Sequence, residues 1–195
     1  MIGTQSRLTL PPLEYRYAFD AVMPRLAQEE ELLIRCDVPQ LMSEITQRFP
    51  FYRKTRHAKM ALWVEPLQFT WQDDLMAIND QLRYRSLLII IASRPLACLL
   101  PERQTWEGKP LGIQVSGLAR LRRKLGQMGW VVERHDGIHS LQAIVLNQLS
   151  GIAGRFGRVA WADRLEFAAR LHYRTTDLLT PFSTVALLVA RKENL

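Results

Sequence analysis

Residues Ser86–Arg94 read SLLIIIASR. From Leu87 to Ala92 the side chains are all apolar, three of them β-branched isoleucines, and Ser86 and Ser93-Arg94 bracket them. A run this short and this β-branched predicts a strand buried on both faces rather than a helix. Such a strand needs helices above and below it, so the stretch places the chain in the α/β class with a mostly parallel sheet.

The flanks extend that reading. Upstream, Thr70-Trp71-Gln72-Asp73 has the form of a capping box with Asp in place of Glu, and predicts a helix over about Trp71–Tyr84 with Leu75, Ile78 and Leu82 on one face. Before it, MALWVEPLQF (Met60–Phe69) reads as a strand whose end Pro66 marks, completing a strand-helix-strand unit with a right-handed crossover. The run LLIRCDVP (Leu32–Pro39) is a further buried strand, with Pro39 opening a helix over Gln40–Arg48 that turns Leu41, Met42 and Ile45 inward. Leu13–Ala27 has helical spacing, bent or broken at Pro24. Downstream, Pro95–Val115 holds three prolines and two glycines and reads as an irregular excursion of the kind that covers a site.

Ser116 then caps a helix to Met128, with Leu118, Leu121, Leu125 and Met128 on one face and Arg120, Arg122, Arg123 and Lys124 on the other. Gly129 stops it in a left-handed conformation. Trp130–His135 is a short strand, Asp136-Gly137 a turn, and Phe182–Ala190 a final strand. Between them, Ser140–Tyr173 carries two amphipathic helices divided near Gly157. The whole reads as a single domain, 1–195, with a helical insertion at 140–174.

Charge is unevenly placed along the 195 residues. Up to Asp80 there are 9 Lys and Arg against 11 Asp and Glu, and beyond it 17 against 8. The basic second part is compatible with nucleic acid or an anionic surface as partner, but charge alone bears on association and not on reaction. Four cations on the helix after Ser116 form either a solvated face or an anion-binding patch. Arg155, Arg158, Arg164, Arg170 and Arg174 give the inserted helix pair the composition of one lying on a membrane surface or over a lipid-like ligand, or of a solvated cover on the sheet. The FYRKTRHAK segment, Phe51–Lys59, sets two aromatics beside a basic cluster, which fits a connecting loop or a single-stranded nucleic-acid contact. The first residues have no apolar core of a signal peptide, and no apolar run approaches a bilayer-spanning length. Cys36 and Cys98 read as small hydrophobes in a reducing compartment. A soluble, cytoplasmic protein is expected.

No familiar catalytic pattern emerges. His135 and His139 flank the expected Asp136-Gly137 turn, so no metal site is expected. Ser93, Ser116 and Ser183 lack a glycine-flanked nucleophile elbow, and no phosphate-binding loop occurs.

From Met60 onward the order of elements, the helix ending LGQMGWVV (Leu125–Val132) and the last strand FSTVALLVARKE (Phe182–Glu193) resemble the C-terminal part of class I S-adenosylmethionine-dependent methyltransferases. The resemblance implies a Rossmann-like sheet with an antiparallel last strand. The helical insertion resembles those of methyltransferases associated with lipid and glycolipid pathways. It also implies a cofactor on a glycine-rich turn after the first strand, where close backbone approach excludes a Cβ. The matching residues here, Ile34 to Pro39, contain no glycine, and none occurs between Gly3 and Gly108. Two strand-helix units of the family are absent, and Tyr84-Arg85-Ser86 stands where the family has Gly-Gly. The resemblance with these departures implies a shortened, non-catalytic relative, a binding or scaffold protein without a cofactor. A sheet edge left by the missing strands would pair it into a homodimer or hetero-complex. The alternative is an active methyltransferase using S-adenosylmethionine in an atypical pocket lined by Asp37, Glu65 and Ser93, at the C-terminal ends of the strands. Nucleic-acid binding is the third reading.

Overall fold

The structure, a computed structural model, describes residues 13–26, 31–36, 38–48, 58–66, 70–94, 118–176 and 182–193. Twelve elements follow in the order α1 (Leu13–Leu26), β1 (Leu32–Cys36), α2 (Pro39–Arg48), β2 (Ala58–Val64), α3 (Trp71–Gln81), β3 (Leu82–Ser93), α4 (Leu118–Gln127), β4 (Trp130–Ser140), α5 (Leu141–Arg155), α6 (Val159–Leu171), β5 (Arg174–Thr176) and β6 (Ser183–Lys192). Six strands make one sheet in the order β1-β2-β3-β6-β4-β5. β1, β2 and β3 are parallel, while β6, the last in sequence, lies antiparallel between β3 and β4. The fold class read from the sequence is the one observed.

The apolar run of β3 does what its composition requires. Ile89 and Ile91 join one core layer with Leu62 and Val64 of β2 and Leu187 and Val189 of β6, under α1 and α2. Leu88, Ile90 and Ala92 join the other, with Ala61, Trp63 and Leu188, under α3 and α4. Alternation along each strand thus feeds two cores, which is why these strands are apolar at nearly every position. Tyr15, Phe19, Val22 and Leu26 form the inward stripe of α1, which continues through Pro24 to Leu26 without a break.

Several boundaries differ from the sequence reading. β2 begins at Ala58 and stops at Val64, because Glu65 takes φ 54 and turns the chain out of the strand. α3 ends at Gln81 and Leu82 is already in β3, so it packs on the helical core layer from a strand. No capping box forms. The Thr70 hydroxyl donates to Asp74 Oδ2 at 3.0 Å, and Arg35 of β1 donates to the other oxygen of Asp74 at 2.7 Å. The C-terminus of α3 is closed from the far end of the chain, where the buried Lys192 ammonium donates to the carbonyls of Asn79 and Leu82 at 2.8 and 2.9 Å. Gly129 has φ 79, the left-handed stop expected of it.

The largest correction concerns β4. Asp136-Gly137 is not a turn but part of a strand running to Ser140, paired with β6 on one side and with β5 on the other. Ladder bonds on both sides override the local turn preference of Asp-Gly. Among the described residues, the inserted hairpin adds only Ala143 and, at its base, Tyr173 to the core layers, so it does not cover the sheet as the solvated-cover reading expected. The Pro95–Val115 excursion, Ser116, Cys98 and most of the Phe51–Lys59 cluster lie outside the described residues.

Candidate functional site

The C-terminal ends of parallel strands are where a sheet of this type presents a cleft, because the connecting loops diverge there. β2 and β3 end side by side, Val64 in register with Ile91 and the Glu65 N–H donating to the Ile91 carbonyl at 2.8 Å. Their register brings together Glu65 and Ser93, two of the three residues named as cleft candidates. Ser93 donates to Glu65 Oε1 twice, from its N–H at 2.7 Å and its hydroxyl at 2.9 Å. The third candidate, Asp37, lies outside the described residues.

A further residue, which the sequence reading counted only as part of an apolar stripe, completes the group. The Tyr15 hydroxyl of α1 donates to the same Glu65 Oε1 at 2.5 Å and lies 2.5 Å from Ser93 Oγ. Tyr15 is fully buried, and Glu65 and Ser93 are 2% and 6% exposed. The signal was present: a tyrosine on the inward face of a helix must find a partner for its hydroxyl. Among the described contacts, this one carboxylate oxygen takes three donors. Holding it there requires Glu65 in the left-handed region, a strain of about 1–2 kcal/mol for a residue with a Cβ. Next in the chain, Arg94 donates its N–H to the Thr184 carbonyl, and burial lowers the pKa of its guanidinium.

The turn after β1 departs from the glycine-rich turn that the family resemblance implies. At the tip of β1 the Cys36 thiol donates to the Val38 carbonyl at 3.5 Å. α2 then begins with Pro39, which has no N–H to offer an anionic group at the helix start. The polar groups at the ends of β2 and β3 face one another.

Arg122 of α4 lines a cleft of about 410 Å³ with Val132, Glu133, Arg134, His135 and Asp136 of β4 and Arg174 of β5. Asp136, 1% exposed, accepts from Arg134 Nε at 2.6 Å and from Arg174 Nη2 at 2.6 Å, and Glu133 pairs with Arg191. Arg120 and Arg123 are exposed, and Lys124 is half-buried. His135 lines this cleft while His139 stacks on Tyr173 with ring centroids 5.0 Å apart. Among the described residues no group of three His, Cys, Asp or Glu could hold a metal ion. The Ser183 hydroxyl is buried and donates to the Val185 carbonyl.

No protein-family model matches the chain, and no curated protein matches it by sequence. Solved structures do resemble it. A protein of Bacillus halodurans C-125 classed as a methyltransferase matches with a TM-score of 0.46 at 8% identity, over 89% of this chain and 100% of that one. The cyclase SpnF matches with a TM-score of 0.43 at 13% identity, over 95% and 84% of the two chains. The cyclopropane synthase MmaA2 from Mycobacterium tuberculosis matches with a TM-score of 0.42 at 11% identity, over 97% and 87%. The chain resembles class I methyltransferase-like proteins, and at these identities the resemblance is one of fold.

Proposed function

We propose that this chain is a non-catalytic binding or scaffold protein built on a methyltransferase-like sheet and that it does not use S-adenosylmethionine. One observation carries the reading: Tyr15, Glu65 and Ser93 satisfy one another where the strands end, all three buried. A functional carboxylate in a cleft would be expected to face a ligand space, whereas this one is held by donors from α1 and β3. The glycine-free turn after β1 supports the same conclusion.

The alternative, an active methyltransferase with an atypical pocket, draws on the same trio, because Glu65 and Ser93 do meet at the strand ends. Isothermal titration of the purified protein with S-adenosylmethionine and S-adenosylhomocysteine separates the two. The proposal expects no saturable heat at millimolar ligand. Micromolar binding that weakens in Glu65→Gln would overturn it and make the trio a pocket wall.

As a scaffold the chain is expected to have a protein partner. β1 stands at the end of the sheet with only β2 beside it among the described strands, and its outer edge is the natural place for a second copy or another chain to add a strand. Light scattering on the titration sample tests this, and a strict monomer without any captured partner strand would count against the edge.

A further inference from the structure

α5 and α6 form a hairpin whose geometry is well determined by its own turn. Gly157 at φ 70 ends α5, with the Gly157 N–H donating to the Gly154 carbonyl and the Arg158 N–H to the Ala153 carbonyl, the paired bonds of a Schellman stop. The Ser150 hydroxyl donates to the Ala162 carbonyl at 2.9 Å and ties the helices together. At the base, Ser140 caps α5 through the Ala143 N–H and donates to the His172 carbonyl at 2.6 Å.

The outward side of this hairpin is apolar. Leu141, Val145, Leu149, Ile152 and Phe156 recur at helical spacing along one face of α5, and all are between 42% and 79% exposed. On α6, Trp161, Phe167 and Leu171 are each more than half exposed. No charged residue occurs from Leu141 to Gly154. A Cβ built on Gly151 or Gly154 would meet nothing within 4 Å, so the surface is open there as well. A stripe of this length in water is the mark of a binding surface rather than of a solvated helix.

Charge identifies the occupant. Arg155 and Arg158 sit in the turn on either side of Phe156, the most exposed member of the stripe, and Arg164 follows one turn into α6. None of the three has an ion pair among the described residues, whereas Arg170 is held by Glu166 at 2.6 Å. An uncharged helix beside a turn of aromatics and cations matches the boundary between acyl chains and anionic headgroups, which takes rings and guanidiniums together. Among the described residues no helix is long and apolar enough to cross a membrane, so the hairpin would lie on the surface.

We infer that the α5–α6 hairpin docks on an anionic lipid surface, its apolar stripe, Phe156 and Trp161 entering the interface and Arg155, Arg158 and Arg164 meeting lipid phosphates. This docking is independent of whether the strand ends bind a cofactor. The test is co-sedimentation of the full chain with phosphatidylcholine vesicles, with and without phosphatidylglycerol, at low and high salt. The chain is expected to bind the anionic vesicles and to release as salt rises. Phe156→Ser with Trp161→Ser should weaken binding about tenfold or more on either vesicle, from the apolar area withdrawn. Arg155→Ala and Arg158→Ala should each weaken it about fivefold on anionic vesicles and little on neutral ones. All four positions are exposed, and circular dichroism checks that the variants keep their fold. Failure of the full chain to bind anionic vesicles would overturn the inference. So would variants that bind as the parent does, or a dimer that the Phe156→Ser, Trp161→Ser variant converts to monomer, which would assign the stripe to a second copy.

Discussion

The closure of the strand ends can be measured through Tyr15. Tyr15→Phe removes one hydroxyl and leaves the ring in place, so packing in the α1 stripe is kept and the change falls on that hydroxyl's bond with Glu65 Oε1 and its contact with Ser93 Oγ. A buried hydrogen bond to a carboxylate contributes about 1.5–3 kcal/mol, and the two Ser93 donors remain, so the expected loss is about 2 kcal/mol. For a chain of this size that lowers Tm by about 4–8 °C. Ser93→Ala keeps its N–H bond to Glu65 and should lose about 1 kcal/mol. Because the two hydroxyls lie 2.5 Å apart and share one acceptor, the double variant leaves the carboxylate with a single donor of the three. Its loss should exceed the sum of the single losses by about 0.5 kcal/mol or more, the coupling typical of residues in one network. Urea denaturation followed by far-ultraviolet circular dichroism gives all four stabilities. A Tyr15→Phe effect within about 0.5 kcal/mol, together with zero coupling, is what a surface substitution gives. That result would mean that Glu65 is solvated, and the argument that the strand ends are closed would be refuted.

Other perturbations test the remaining frame. Asp136→Asn leaves Arg134 and Arg174 facing each other without their shared counter-charge; with both arginines partly solvated the expected loss is about 2 kcal/mol, below the full effect of breaking a buried pair, and smaller at high salt in parallel urea titrations. Arg85 holds φ 64 in an exposed bulge between β2 and β3, so Arg85→Gly should raise stability by about 1 kcal/mol, and a loss in thermal unfolding would show that the strain is offset by contacts of the side chain. For Lys192, burial lowers the pKa from its ordinary 10.5 while the Asp80 charge pushes back upward. The unfolded chain therefore binds more protons between the folded pKa and 10.5, and stability contributed by this group rises with pH through that window. Lys192→Met should remove that limb of the pH profile and lose about 1–2 kcal/mol near neutrality, from the carbonyls of Asn79 and Leu82 left without their donor.

What was legible in the sequence follows from where the information is local. The run from Leu87 to Ala92 identifies a two-faced strand because each side chain reports its own burial, and Gly129 identifies a helix stop because the left-handed region excludes most other residues. Glu65 and Ser93 could be placed at the strand ends by counting, since Pro66 marks the end of one strand and the apolar run of the other closes at Ala92. Tyr15 could not, because its partner is 50 residues away and helical spacing reports only which face is inward. Nor could Asp136-Gly137, whose turn preference is defeated by ladders to β5 and β6, both made by residues later in the chain.

The inserted hairpin shows the opposite failure. Its periodicity was read correctly as two helices divided near Gly157, but apolar periodicity says only that a face seeks cover, not that the same chain supplies it. Leu141, Val145, Leu149, Ile152 and Phe156 obey the pattern of a core helix and lie in solvent. Among the described residues, α1 and α2 pack on one side of the sheet and α3 and α4 on the other. With four helices on the two core layers among the described residues, the stripe of the fifth and sixth is left for the lipid surface we infer, and Arg155, Arg158 and Arg164 set the charge expected of that surface.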